Sequence, residues 1–293
     1  MEKYFDIIVN SFTGYARYLW HEITHPAWHN YFYYLISISL LIWALEAVRP
    51  WRKNQSLVRK GFWQDVFYMF FNFFLFSLIG YNALSNVFVA LFKDFLQLFG
   101  YQNLVAIKIN SWPLWTQYLF LFLLADFIQW AVHLTLHKVP WLWKFHQVHH
   151  SVEEMGFAAH LRFHPMETII YKSALFIPLT MFGFTIGDMF LLHAFNILVG
   201  HLNHANVNIN YGWLKYIFNS PGMHIWHHAK QLPKEHPHGM NFGITLSIWD
   251  YLFDTAYLPH SGKDIELGFE EIEEYPSQFH KQITKPFERK KSM

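Results

Sequence analysis

Long uncharged stretches of hydrophobic residues divide the chain into blocks. Residues 31–45 carry no charged side chain, and neither do residues 66–92. A helix of about 20 apolar residues crosses the hydrocarbon core of a bilayer, so both stretches are candidate membrane spans. A third apolar stretch starts near Trp112, and residues 173–204 are long enough for a tight helical pair with a break near Gly183. The pattern predicts an all-α, polytopic membrane bundle with about four spans.

The loop between the first two spans indicates the orientation of the bundle. It contains no acidic residue and five basic ones, Arg49, Arg52, Lys53, Arg59 and Lys60. Loops rich in lysine and arginine face the cytoplasm. The second span then exits and the third returns, so residues 133–165 emerge on the cytoplasmic side. If residues 173–204 form a hairpin, its end returns to that side as well. We therefore expect a cytoplasmic, helical cap at that end of the bundle.

Composition supports this placement in the membrane. Hydrophobic residues make up 53% of the chain, aromatic residues 20% and charged residues 15%, whereas soluble domains have about 25% charged residues. The net charge of +1 argues against an extended nucleic-acid surface. The absence of cysteine excludes disulfides, thiolate metal sites and cysteine nucleophiles.

The hydropathy profile also predicts the domain organisation. Residues 1–112 form an N-terminal membrane region with two spans, and residues 113–260 form the catalytic domain. Residues 261–293 are charged, and we expect a cytoplasmic tail with little packed core.

Histidine is the unusual residue, with 20 copies, most of them between His133 and His228. They fall into five groups: His133 and His137; His146, His149 and His150; His160 and His164; His201 and His204; and His224, His227 and His228. Residues three or four apart share a helix face, so each H-x-x-H-H group is expected to direct two or three imidazoles to one point. Neutral imidazole binds iron, zinc or copper. The number of histidines suits two metals in one cage, with His160 the weakest candidate.

An H-E-x-x-H match near the N-terminus suggests a different metal site. His21, Glu22 and His25 fit the pattern of zinc proteases. Pro26 follows His25 directly, and a residue before proline is biased away from the helical conformation. We therefore interpret this stretch as an interfacial segment that lies on the opposite side of the membrane from the other groups.

Two alternatives to an oxygenase remain open from the residues alone. An intramembrane zinc hydrolase would need a carboxylate beside the metal as general base, and Glu153, Glu154 and Glu167 are available. A non-catalytic membrane protein that carries metal or haem is the other alternative. Histidines grouped at span ends suit a non-haem metal better than haem.

From about Phe120 to Leu258, the chain resembles the fatty acid hydroxylase/sterol desaturase superfamily of integral-membrane di-iron oxygenases. The resemblance rests on the ordered motifs HLTLH, WLWKFHQVHHS, AAHLRFHPME, HANVNINYG, SPGMHIWHH and MNFGITLSIWDYLFDT. It implies two non-haem irons that use O2 and two electrons from a separate carrier of the cytochrome b5 or ferredoxin type. Such enzymes hydroxylate or desaturate an unactivated C–H bond of a lipid, of sterol or fatty-acyl type.

The resemblance also implies a ligand set and no catalytic side chain beyond it. Nine positions match the family's metal ligands: His133, His137, His146, His149, His150, His204, His224, His227 and His228. His201 and His164 are additional candidates, and Asn241 is a candidate for supporting the ligands.

Two departures from the family pattern are informative. Relatives that cleave ether lipids have a glutamate directly after the first histidine pair, where this chain has Lys138, which disfavours an ether-lipid substrate. The family motif W-D-x-L-F-G-T has Asp254 here in place of its glycine, so the turn at that position is in question.

Overall fold

The computed structural model describes residues 2–27, 30–101, 105, 107 and 109–288. Within those ranges the regular structure is helical, and β-pairing is limited to two isolated bridges, Phe218 with Leu246 and Ala229 with Leu267. The predicted all-α fold is therefore confirmed.

The first half of the chain forms long helices. They are α1 (Glu2–Thr24), α2 (Tyr31–Val48), α3 (Phe62–Phe70), α4 (Asn82–Leu98) and α5 (Leu114–Lys138). Two π-helical turns, Phe71–Leu75 and Ser77–Tyr81, join α3 to α4, so that 62–98 runs as one rod. Three helices in the described part of the chain are long and apolar enough to cross a membrane: Tyr31–Val48, Phe62–Leu98 and Leu114–Lys138.

The second half contains helices of 5 to 19 residues. They are α6 (Pro140–His150), α7 (Pro165–Met181), α8 (Ile186–His204), α9 (Pro221–His227), α10 (Ile248–Leu252) and α11 (Phe279–Thr284). A 3₁₀ helix, Phe157–Leu161, lies between α6 and α7, and three further 3₁₀ helices are Gly212–Tyr216, Ile272–Glu274 and Lys285–Phe287.

The helical pair expected at 173–204 corresponds to α7 and α8. The chain reverses at Gly183, whose φ of 85° is in the left-handed region that glycine adopts without strain. Helix α8 then begins with a capping box, in which the Thr185 side chain accepts a hydrogen bond from the Asp188 backbone N–H. Neither α7 nor α8 is among the three candidate spans.

The basic loop after α2 packs against the histidine-rich half. The Arg52 backbone N–H donates to Asn206 Oδ1 over 2.9 Å, and Gln55 Nε2 donates to the Met155 carbonyl over 2.7 Å. Glu46, at the end of α2, accepts from the backbone N–H groups of Phe157 (2.9 Å) and Asn206 (2.7 Å). The loop, the segment after α6 and the end of α8 therefore form one packed region.

The C-terminal residues also pack against this region, which corrects the expectation of a tail with little packed core. Leu267 belongs to an apolar cluster with Ile225 and Met240. Gln282 is fully buried and accepts a hydrogen bond from Tyr68 Oη over 2.8 Å. The charged side chains of this segment conceal apolar and amide groups that face inward.

Candidate metal centre

Five histidines converge in a first group, built on α5, α6 and α9. One ring nitrogen from each lies within 4.8 Å of the others. The first group is His133, His137, His146, His150 and His227. His137 is half-buried and the other four are buried, so the group meets the protein surface only at His137.

Four more histidines form a second group with the same spacing between nitrogens. Its members come from α6, α8 and α9, and one of them, His228, directly follows the last residue of α9. The second group is His149, His204, His224 and His228, and all four are buried.

The two groups are adjacent, because α6 and α9 contribute to both. His146 and His150 belong to the first group, whereas His149 belongs to the second. The rings of His150 and His228 stack with centroids 4.4 Å apart, and those of His149 and His228 are 4.7 Å apart. The expectation that each H-x-x-H-H motif directs two or three imidazoles to one point is confirmed with two: His146 and His150 share the first group, and His224 and His228 share the second. The third histidine of each motif, His149 or His227, belongs to the other group.

The distances between ring nitrogens fit metal coordination. Within the first group, Nε2 of His133 is 3.1 Å from Nε2 of His146. Within the second, Nε2 of His204 is 3.2 Å from Nε2 of His149 and 3.0 Å from Nε2 of His224. Two imidazole nitrogens bound at right angles to one ion, at about 2.1 Å each, lie about 3 Å apart. Each group therefore has room for one ion.

Several ring nitrogens in these groups have no hydrogen-bond partner in the part of the chain that the structure describes. They are Nε2 of His137, Nδ1 of His224 and both nitrogens of His228. A buried polar atom without a partner is destabilising by about 1–3 kcal/mol. A bound cation would satisfy such lone pairs, so the donor set fits a pair of metal ions.

The second nitrogen of several rings donates to a fixed acceptor. His133 Nδ1 faces the Phe242 carbonyl and His227 Nδ1 faces the Met240 carbonyl, each at 2.8 Å. His149 Nδ1 lies 3.1 Å from the Arg162 carbonyl. An acceptor on one nitrogen fixes the tautomer and leaves the other nitrogen free to bind metal. In all three rings Nε2 is then the nitrogen available to metal.

Glu167 provides the carboxylate acceptor. Its Oε2 lies 2.7 Å from His146 Nδ1, and its Oε1 accepts from the His164 backbone N–H at 3.1 Å. Burial raises the pKa of Glu167 to about 7, although the neighbouring His149 and the hydrogen bond from His164 oppose this shift. Glu167 therefore orients His146 rather than facing an open position beside a metal.

Burial keeps the imidazoles neutral. It lowers the pKa of His146 and that of His149 to about 3, in His149 with help from the charge of His146. The pKa values of His150, His227 and His228 fall well below the usual range, first through burial and then through repulsion between the histidines. Neutral imidazole is the form that binds metal, so the cage binds metal at neutral pH without first losing protons.

Two histidines of the predicted ligand set, His164 and His201, lie outside both groups, as does His160. His164 caps α7, with Nδ1 accepting from the Met166 N–H and Nε2 facing the Ile283 carbonyl, each at 3.0 Å. His201 Nδ1 contacts His160 Nδ1 at 2.9 Å, and His201 Nε2 contacts Ser39 Oγ at 3.1 Å. Both ring nitrogens of His164 and His201 are therefore engaged away from the groups.

The H-E-x-x-H stretch lies apart from the groups as well. Helix α1 ends at Thr24, so His25 follows its last turn, as expected from Pro26. His21 and His25 are exposed, and their rings stack with centroids 4.5 Å apart. Neither belongs to a group that could hold a metal among the residues described.

The carboxylates that a zinc hydrolase would need are engaged elsewhere. Glu153 is exposed and pairs with Lys60 Nζ at 2.7 Å, and Glu154 accepts from the Lys60 backbone N–H at 3.0 Å. Within the described ranges, both groups consist of histidine alone. Neither Glu153 nor Glu154 belongs to either group.

Comparisons with known proteins match the histidine-rich half. Residues 118–255, which contain both groups, match the family model described as fatty acid hydroxylase. Ornithine lipid hydroxylase OlsE of Rhizobium tropici is 31% identical over 62% of this chain and 53% of its own length. No solved structure gives a significant match.

Alkylglycerol monooxygenases are also similar. The human enzyme is 34% identical over 48% of this chain and 30% of its own length. The Xenopus tropicalis enzyme is 28% identical over 80% of this chain and 47% of its own length. The chain thus spans about half, or less, of the length of these relatives. The family match and these relatives support the resemblance of the histidine-rich half to the fatty acid hydroxylase/sterol desaturase superfamily.

Proposed function

We propose that this protein is a membrane di-iron oxygenase that hydroxylates a lipid. The observation that carries the proposal is the pair of adjacent all-histidine groups, with five and four members. The balanced reaction consumes a C–H bond, O2, two electrons and two protons, and yields an alcohol and water. Desaturation, in which two hydrogens leave the lipid, is the related outcome that the superfamily also allows.

The donor set supports iron. The chain has no thiolate to offer, and imidazole suits iron, copper and zinc. When bound, a redox metal pair supplies the oxidising power that attack on an unactivated C–H bond needs and that no side chain has. His133, His137, His146, His150 and His227 would hold one ion, and His149, His204, His224 and His228 the other.

The surrounding side chains exclude water from the site. The Trp143 ring lies 4.8 Å from that of His137, and the Phe242 ring lies 5.0 Å from it. Phe242 is buried, as are eight of the nine histidines. A site of this kind protects a reactive oxidant from solvent until the lipid is in place.

The topology we propose has about four membrane spans and a cytoplasmic, histidine-rich cap. Three candidate spans are present among the described residues, and the α7–α8 pair would enter the membrane as a short hairpin that returns to the cytoplasmic side. The packing of the basic loop against the cap supports placing the site in the cytoplasm, because that loop follows the positive-inside rule. Residues 1–112, 113–260 and 261–293 remain the proposed domains.

The substrate we propose is a membrane lipid, reached laterally from the bilayer. The relatives include an ornithine lipid hydroxylase and alkylglycerol monooxygenases, so a polar membrane lipid with a long alkyl chain is the shared chemistry. Electrons would come from a separate cytochrome b5- or ferredoxin-type carrier at the cytoplasmic face.

Iron content tests the metal centre. His149 and His227 belong to different groups, so replacing both with glutamine weakens both sites. We expect the wild-type protein, purified in detergent, to retain about two irons per chain by elemental analysis, and the double variant to lose most of them. The His21→Gln/His25→Gln double variant is the matched control and should retain iron. Equal iron in all three proteins would overturn the assignment.

A further inference from the structure

Residues 238–242 form a segment that faces the first histidine group, here named the carbonyl segment. The carbonyl of His238 lies 3.1 Å from His137 Nδ1. The carbonyls of Met240 and Phe242 lie 2.8 Å from the Nδ1 atoms of His227 and His133. Every second carbonyl therefore orients one histidine, and three of the five rings in the first group depend on this segment.

The end of the carbonyl segment is held from its far side by Asp250. Its Oδ1 accepts from the Phe242 N–H, and its Oδ2 accepts from the Gly243 N–H, both at 2.8 Å. Oδ1 also accepts from Trp130 Nε1 at 3.0 Å and from Thr255 Oγ1 at 2.7 Å. Asp250 is fully buried, and its four donors fix its carboxylate in one orientation.

The carbonyl segment needs such support because its backbone is bent within it. Asn241 has a φ of 56°, in the left-handed region, which is unfavourable for residues other than glycine and is tolerated best by asparagine and aspartate. The Asn241 side chain donates to the carbonyls of Met223 (2.9 Å) and Tyr257 (2.7 Å). The bend directs the carbonyls of Met240 and Phe242 to different histidines.

We infer that Asp250 is a positioning residue that sets the metal affinity of the first group through the carbonyl segment. This inference rests on the metal centre proposed above. Asp250 does not touch the histidines. It fixes the peptide groups of residues 242 and 243, and the Phe242 carbonyl then holds His133 with its Nε2 directed into the group. The second group contains no histidine that contacts the carbonyl segment through a hydrogen bond in the described structure.

Asp126 offers a matched control, because it is an equally buried carboxylate that holds the next part of the same loop. It accepts from the N–H groups of Thr245 and Leu246, each at 3.2 Å, and from Trp249 Nε1 at 2.9 Å. None of these residues orients a histidine. If the variants lost iron only because the fold is less stable, Asp126→Asn and Asp250→Asn would lose it alike. If Asp250 positions His133, only Asp250→Asn should lose iron.

The experiment measures iron retained per chain after the purified full-length protein is loaded with ferrous iron and challenged with a chelator. An outer-sphere partner typically changes metal affinity by about 10–100-fold. We expect Asp250→Asn to release one of the two irons about tenfold more readily than the wild type and to keep the other. Asp126→Asn should retain both irons, and the metal-free melting temperatures of the two variants should fall by similar amounts.

If Asp250→Asn does not accumulate, Thr255→Val carries the test, since it removes one donor to Asp250 and nearly conserves volume. It should release the same one of the two irons more readily than the wild type does, but by a smaller factor than Asp250→Asn. Retention of both irons by the Asp250 or Thr255 variant would overturn the inference, as would equal loss from both sites or from Asp126→Asn. A wild-type protein that binds no iron would instead refute the proposed metal centre itself.

Discussion

At the scale of single residues, Glu167 connects the fold to the proposed chemistry. One carboxylate oxygen accepts from His146 Nδ1 and the other from the backbone N–H of His164, the residue that caps α7. Replacing Glu167 with glutamine puts an amide donor against one of these two N–H groups. We expect iron affinity to fall by about 10–100-fold, as for other outer-sphere partners, with chelator competition as the measurement.

Glu153→Gln is the control for this prediction. Glu153 is exposed and forms a surface ion pair with Lys60, which contributes about 0–1 kcal/mol, so iron affinity should not change. An affinity that is the same in Glu167→Gln as in the wild type would show that Glu167 does not orient His146.

Asp254 shows how a departure from a family pattern is accommodated by a single residue. It stands at the glycine of the family motif W-D-x-L-F-G-T, and its φ of 55° lies in the left-handed region. Aspartate visits that region more readily than most residues, because its short side chain can bond locally. The turn that the missing glycine put in question is therefore formed at Asp254, and Thr255 Oγ1 donates a hydrogen bond to Asp250.

At the scale of elements, the start of α7 explains why His164 lies in a metal-like motif without joining a group. Its Nδ1 caps the helix, and its Nε2 is held by the Ile283 carbonyl. Replacing His164 with alanine should lower the free energy of unfolding by about 0.5–2 kcal/mol, the usual loss for an N-cap. Thermal or denaturant unfolding measures this change.

His164→Asn is the matched variant, since asparagine is a strong N-cap residue. It should recover most of the lost stability, and both variants should bind as much iron per chain as the wild type. Loss of iron from folded His164→Asn would contradict the helix-cap role and make His164 a ligand.

Helix geometry also explains what the sequence could and could not predict about the cage. The histidine motifs are visible in the sequence, because their spacing is specific. Successive residues of an α-helix are rotated by about 100°, so His149 lies about 60° around the helix from His146 and about 100° from His150. It joins the second group, whereas His146 and His150 join the first. The division between groups depends on how α6, α8 and α9 cross, and sequence spacing does not contain that information.

The backbone carbonyls that orient the histidines could not be predicted from the sequence either. The carbonyls of Met240 and Phe242 orient His227 and His133, yet any residue can supply a carbonyl, so the sequence does not mark them. The sequence makes Asn241 a candidate for supporting the ligands, and its side chain donates hydrogen bonds to the carbonyls of Met223 and Tyr257. Asp250 was recognisable only as part of a motif.

At the scale of the whole molecule, the proposed topology can be tested with single cysteines, because the chain has none of its own. Ser56 in the basic loop and Ser261 beyond the catalytic domain are exposed, as is Ser111 before α5. We expect a membrane-impermeant thiol reagent to label Ser111→Cys in intact cells. Ser56→Cys and Ser261→Cys should be labelled only after the membrane is opened.

Because the basic loop packs on the cap, Ser56→Cys and Ser261→Cys must be labelled from the same side of the membrane. Arg52 Nε donates to the Lys263 carbonyl over 2.6 Å, so residues 56 and 261 belong to the same end of the molecule. Labelling of Ser56→Cys and Ser261→Cys from opposite sides would contradict the fold, and labelling of both from outside would reverse the proposed orientation.

The central claim is that the double histidine cage inserts oxygen from O2 into a lipid. The most direct measurement is mass spectrometry of lipids from cells supplied with ¹⁸O2 that express either the wild-type protein or the His149→Gln/His227→Gln variant. We expect a lipid that carries one heavy oxygen atom in the wild-type cells and is missing from the variant cells. If the two lipid profiles are identical, or if the added oxygen comes from water, the proposed function is wrong.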